Sequence, residues 1–138
     1  MTDKPSTTRW FGYAIQALVV LATYEGICPS AEMAGKLESR SAFLRKILTY
    51  LVKGELIRAK EGRDGGYSLA RPADQITLAD VYKAMQIVDP FTKGLIDVNS
   101  NCLSSYTNEA LITLTDEMED WILSGLEQKT IADMIPKK

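Results

Sequence analysis

The sequence contains no histidine. That absence excludes His-based zinc sites and the hydrolase triads whose general base is an imidazole. Cysteine is nearly as scarce: Cys28 and Cys102 are the only two in 138 residues, too few for a disulfide framework. Long apolar runs are missing as well. The longest, residues 11–24, is broken by Gln16 and Thr23. It falls short of the ~20 residues that span a bilayer, so it reads as a core helix and no membrane partner is expected. The opening MTDKPSTTR is polar and reads as an arm rather than a signal peptide, which points to a cytoplasmic chain. The glycine-rich stretch Gly62-Arg63-Asp64-Gly65-Gly66 lacks the Lys-Ser/Thr and the following helix of a phosphate loop, so it reads as a hairpin turn. With no nucleophile–base pair and no metal-ligand set, an enzyme is not expected.

What is present is unevenly distributed. The net charge of -2 argues by itself against a nucleic-acid partner. Residues 36–71, however, carry nine basic and four acidic side chains, a net of +5, whereas residues 72–138 carry five and eleven, a net of -6. A basic segment inside an acidic chain is where phosphate contact belongs.

Local patterns divide the chain. A first helix over Arg9–Glu25 has the stripe Phe11, Ala14, Ile15, Leu18, Ala22, with Gly26 as its C-cap. Ser30 is placed to cap a second helix, Ala31–Leu37, that buries Met33, Ala34 and Leu37. After Glu38-Ser39-Arg40, either Ser39 or Ser41 caps a third helix ending at Gly54. In that helix Leu44, Ile47, Leu48 and Leu51 recur at i, i+3, i+4, i+7, and the opposite side carries Ser41, Arg45 and Thr49. A helix with one apolar face and one face of hydroxyls and cations suits the DNA major groove. Leu56–Glu61 and Tyr67–Arg71 read as the strands of a wing, with Ile57, Ala59, Tyr67 and Leu69 inward and Arg58 and Lys60 outward. Thr77-Leu78-Ala79-Asp80 starts a fourth helix with stripe Leu78, Val81, Tyr82, Met85, and Thr130-Ile131-Ala132-Asp133 repeats the same capping device. The expected fold class is mainly α with a small β-hairpin: a winged helix-turn-helix domain over 1–87, a regulatory loop over 88–105, and a long helix with its tail over 106–138.

In that long helix Leu111, Leu114, Met118, Trp121 and Gly125 sit at a 3-4-3-4 spacing, with Ile112, Ile122 and Leu126 in a second stripe. The expected partner for its apolar face is the same helix of a second copy, with Leu111, Leu114, Met118, Trp121 and Ile122 forming the contact.

The chain resembles the BadM/IscR/NsrR/CymR (Rrf-two) family of bacterial winged helix-turn-helix regulators. The resemblance is carried by Tyr13-Ala14-Ile15-Gln16-Ala17-Leu18, Met33-Ala34, Phe43-Leu44-Arg45-Lys46-Ile47-Leu48, Gly65-Gly66-Tyr67-Ser68-Leu69-Ala70-Arg71-Pro72 and Ile76-Thr77-Leu78-Ala79-Asp80-Val81. It implies a homodimer bound to a palindromic operator, usually as a repressor. Ser41–Lys53 would be its recognition helix, the wing would reach the adjacent minor groove, and the long helix would join the two copies. Many members hold an iron–sulfur cluster on three closely spaced cysteines before the dimer helix. Here Val88–Ser105 contains only Cys102, in an Asn-Cys-Leu setting that resembles the cluster-free members, so no cofactor and no metal site are expected.

Residue roles follow from side-chain chemistry. Arg45 is the expected base reader, because arginine pairs bidentately with guanine. Ser41, Ala42 and Thr49 suit phosphates or thymine methyls. Ser39, Arg40, Lys46 and Lys53 suit phosphates, as do the outward Arg58 and Lys60. Arg63 at the wing tip suits a narrow minor groove. Cys102 has two readings, a thiolate that senses oxidants or electrophiles, or a small apolar plug; Cys28 reads as structural. A second effector site is conceivable between the first helix, the loop and the long helix, using Trp10, Phe91 and Trp121. The resulting function is a sequence-specific, homodimeric DNA-binding regulator, responsive to redox state or a small molecule. The alternative is a regulator controlled by a partner protein docked on the acidic C-terminal helix.

Overall fold

The computed structural model describes residues 8–87, 95 and 105–137. Helix α1 spans Thr8–Thr23 and runs through the centre of the core. Its buried residues are Ala14, Ala17, Leu18 and Leu21, at i, i+3, i+4, i+7. This face is rotated from the expected stripe, since Phe11, Ile15 and Ala22 are only half-buried. Two alanines on the inner face let neighbouring helices approach α1 closely, and the larger side chains flank that line. The helix stops two residues earlier than expected. The Thr23 hydroxyl donates to the Val19 and Val20 carbonyls at 2.9 and 3.2 Å, and Gly26 then turns the chain at φ 83°.

Helix α2, Ser30–Leu37, buries Met33 and Ala34, while Leu37 stays half-buried. Ser30 is not its cap. Pro29 occupies that position, in extended conformation, and its carbonyl accepts from the Met33 amide at 3.1 Å. Glu38 closes the helix in the left-handed region at φ 51°, with the Ser39 amide donating back to the Ala34 carbonyl at 3.1 Å. Helix α3 spans Ser41–Lys53 and begins at Arg40 with no side-chain cap, so neither Ser39 nor Ser41 serves as one. Its buried residues are Leu44, Ile47, Leu48 and Leu51, as the spacing predicts.

Gly54 ends α3 for a different reason from the one its position suggests. Its φ is -79°, which any residue tolerates, and the left-handed residue is Glu55 at φ 61°. A Cβ on Gly54 would lie 2.6 Å from the Ala84 Cβ, so the glycine is needed for packing against the fourth helix.

Strands β1 (Ile57–Lys60) and β2 (Gly66–Leu69) pair antiparallel, with Ile57 opposite Leu69 and Ala59 opposite Tyr67. Ala59 is exposed rather than inward-facing, because the hairpin leaves the core after Ile57. The other edge of β2 is also paired. Cys28 and Tyr67 exchange both backbone hydrogen bonds at 2.9 Å, tying the segment before α2 into the wing. A Cβ at Gly66 would collide with the Cys28 carbonyl, and one at Gly65 with the Lys60 carbonyl, which accounts for the paired glycines.

Helix α4, Leu78–Ala84, opens with the expected capping box. The Asp80 amide donates to Thr77 Oγ1 and the Thr77 amide to Asp80 Oδ2, both at 3.0 Å. Helix α5, Ser105–Leu126, is followed by a 3-10 turn at Ile131–Met134, where the Thr130 amide and hydroxyl donate to Asp133 Oδ2 at 2.8 and 3.3 Å and the Asp133 amide donates to the Thr130 carbonyl at 3.1 Å. The two capping segments meet. Thr77 pairs with Thr130, the Leu78 amide donates to the Lys129 carbonyl and the Ile131 amide to the Ile76 carbonyl, both at 2.9 Å. Ile131 is fully buried in the same core as α1 and α3. Truncating it removes well-packed apolar contact from that core, so Ile131→Ala is expected to lower stability by about 2–5 kcal/mol, read as an earlier midpoint in chemical denaturation.

Candidate nucleic-acid interface

The burial of α3 decides what it presents. With Leu44, Ile47, Leu48 and Leu51 in the core, Ser41, Ala42, Arg45, Lys46, Thr49 and Lys53 are exposed. These are the residues expected to meet DNA. The Thr49 hydroxyl donates to the Arg45 carbonyl at 2.8 Å, so outward it offers a methyl and acceptor lone pairs, which fits a thymine methyl better than a phosphate. Arg40 is exposed at the helix start. Ser39 departs from the expected surface position, because its hydroxyl oxygen is buried and lacks a hydrogen-bond partner among the described residues.

The wing stands beside this face. Ser30, Ser41, Leu44, Arg45, Leu48 and Tyr67 line one small cleft, bringing the start of α2, the outward side of α3 and β2 together. Arg58, Lys60 and Arg63 are exposed along the hairpin and its tip. At the hairpin's root, Arg71 donates to Asp80 Oδ2 at 3.3 Å and to the Gln75 carbonyl at 3.1 Å, joining the wing to the α4 capping box. Ser30 and Tyr67 were not foreseen as neighbours of this face. The signal was the Cys28–Tyr67 pairing, a contact across about forty residues that no local pattern encodes.

The residues expected to join two copies lie on α5. No residue of this 22-residue helix is buried. Trp121 is 63% exposed, while Leu111, Leu114 and Met118 are half-buried. Ile122 is turned toward its own domain, where it lines a cleft with Phe11, Tyr82, Ile87 and Leu126. Trp10 packs on α3, edge-to-face with Phe43 and Tyr50 at centroid distances of 5.5 and 6.2 Å. Phe91 and Cys102 lie outside the described residues.

The donor set does not fit an iron–sulfur cluster held by three cysteines of one chain. The whole sequence has two cysteines and no histidine. Cys28 is fully buried, its thiol pushed up by desolvation and then by the Glu32 charge, and its Sγ lies 3.6 Å from the Pro29 carbonyl. Among the described residues no group of three or more His, Cys, Asp or Glu is placed to hold a metal ion.

An exposed cationic helix face, a wing beside it and an apolar face locked in the core define a winged helix-turn-helix regulator. Comparison with known proteins gives the family. The model of the Rrf2 family, described as "Iron-dependent Transcriptional regulator", matches residues 7–137, and the chain belongs to that family. The "Putative HTH-type transcriptional regulator Rv1287" of Mycobacterium tuberculosis is 33% identical over 125 residues, covering 88% of this chain and 76% of that protein. The HTH-type transcriptional regulator NsrR of Oceanobacillus iheyensis is 26% identical over 127 residues, covering 86% of each. The crystal structure of Staphylococcus aureus CymR shares the fold, with a TM-score of 0.66 at 19% identity over 94% of this chain and 98% of that one. The family and these relatives are transcriptional regulators, not enzymes. No helix among the described residues is long and apolar enough to cross a membrane.

The buried, pKa-raised thiol carries a test. Cys28 is expected to resist a thiol-specific disulfide reagent at neutral pH in the folded chain and to react fully once the chain is unfolded. Single-cysteine variants followed by absorbance measure this directly, and rapid labelling of folded C102S protein would contradict it.

Proposed function

We propose that this chain is a homodimeric, sequence-specific DNA-binding repressor acting on a palindromic operator. The observation that carries the reading is the division of α3 into a buried leucine face and an exposed face of Ser41, Arg45, Lys46, Thr49 and Lys53. Arg45 reads a guanine edge, Thr49 and Ala42 meet thymine methyls, and Ser41, Arg40, Lys46 and Lys53 contact phosphates. Arg58 and Lys60 approach the backbone and Arg63 enters the minor groove.

Dimerisation is supported by α5, which leaves Tyr106, Ile112 and Trp121 exposed at 76%, 54% and 63%. Apolar surface of that extent on one helix favours a covering partner. A second copy related by a two-fold axis would cover it through Leu111, Leu114, Met118 and Trp121 and set two recognition helices about one helical turn of DNA apart. The acidic C-terminal third then lies away from the phosphates. The regulator works without a resident cluster. The response is to redox state or to a small molecule; for a redox response the thiol is that of Cys102, because Cys28 is locked in the core.

Two measurements test this reading. Arg45→Ala is expected to weaken binding to a captured operator by about 1–3 kcal/mol and to relax its base preference, as read by gel shift; unchanged binding removes Arg45 from the interface. Trp121→Glu is expected to shift the chain from dimer to monomer in sedimentation and to abolish tight operator binding, while a dimer that survives it places the contact elsewhere.

A further inference from the structure

A second cleft opens at the start of α3. It has a volume of about 640 Å³ and is lined by Arg9, Trp10 and Tyr13 of α1 and by Ser39, Arg40 and Phe43 at the turn into α3. Its wall is a rigid aromatic stack. Phe43 meets Trp10 and Tyr13 edge-to-face, with centroids 5.5 and 5.0 Å apart. The Arg9 guanidinium lies 5.7 Å from the centre of the Tyr13 ring.

The polar groups here are mostly donors. Arg9 and Arg40 are exposed cations. The Ser39 hydroxyl is buried with no partner among the described residues, and α3 starts without a side-chain cap. Among the described residues lining the cleft, Glu38 is the one carboxylate, set against two guanidinium groups. Donors without an internal acceptor, at the positive end of a 13-residue helix, favour an oxyanion.

The position of the cleft identifies which oxyanion. At about 100° per residue, the exposed arc of α3 runs from Ser41 through Arg45 and Thr49 to Lys46. Leu44 and Leu48 border it on one side, where the wing stands. Phe43 and Tyr50 border it on the other, where the aromatic cleft lies. A helix with side chains is about as wide as the major groove, so a seated recognition helix has a phosphate strand along each flank. The wing flank and the cleft flank are those two sides.

We infer that Arg9 and Arg40 form a backbone clamp that takes a phosphodiester of the operator, extending the DNA interface from α3 onto the start of α1. This rests on the DNA-binding reading above and adds Arg9, which nothing local in the sequence marks. The test uses the full chain and a duplex selected from a random-sequence pool by the wild-type protein. Affinity is measured between 50 and 200 mM salt. Arg9→Gln is expected to shallow the slope of log K against log salt by about 0.9, so that the wild type loses about 3.5-fold more affinity than the variant across that range. The preference for the selected duplex over a scrambled one stays unchanged, because a phosphate contact carries no base information. Ethylation of one flanking phosphate should weaken the wild type and not the variant, and thermal melting checks that Arg9→Gln folds. A folded variant with the wild-type slope and interference pattern overturns the clamp, including the case in which the cleft takes a free small anion instead. A wild-type chain that binds no duplex overturns the DNA-binding reading itself, and the clamp with it.

Discussion

The apolar face of α3 is the constraint from which the rest follows. Leu44, Ile47, Leu48 and Leu51 are buried against α1 and α4, and turning the helix would expose all four at once. Burying side chains of this size is worth roughly 1.5–3 kcal/mol each, so the helix has one orientation. Once that is fixed, the outward residues have no freedom to be elsewhere. The exposed face of α3 is a by-product of core packing. The same logic explains Gly54, where a side chain would push α4 off the end of α3 and loosen the helix that backs the reading head.

Local rules made most of this fold legible. The period of α3, the Thr-x-x-Asp capping boxes and the Gly-Gly of the wing each encode a feature within a few residues, and each appears where the pattern puts it. Ser30, Ser39 and Ser41 all have capping chemistry, yet Pro29 and Arg40 hold the cap positions, both in extended conformation. Ala59 alternates correctly but outruns the core. The Cys28–Tyr67 pairing and the position of Trp10 over Phe43 are tertiary, and no window of sequence contains both partners. The exposed α3 face could thus be read in advance, whereas its neighbours, Ser30, Tyr67 and Arg9, could not.

The two thiols divide the chemistry of the chain. Cys28 is a structural residue in the full sense: its backbone joins the wing, its side chain fills the core, and desolvation keeps it protonated. Without histidine, no imidazole stands near it to accept a proton. Oxidation of Cys28 would therefore require the core around it to open.

The meeting of Thr77 with Thr130 has a mechanical consequence. The bridge ties the first turn of α4 to the segment just past α5. Arg71 continues the line from Asp80 to the root of the wing. Moving the segment that follows α5 therefore means breaking the main-chain bonds made by the Leu78 and Ile131 amides, which hold the first turn of α4 as well.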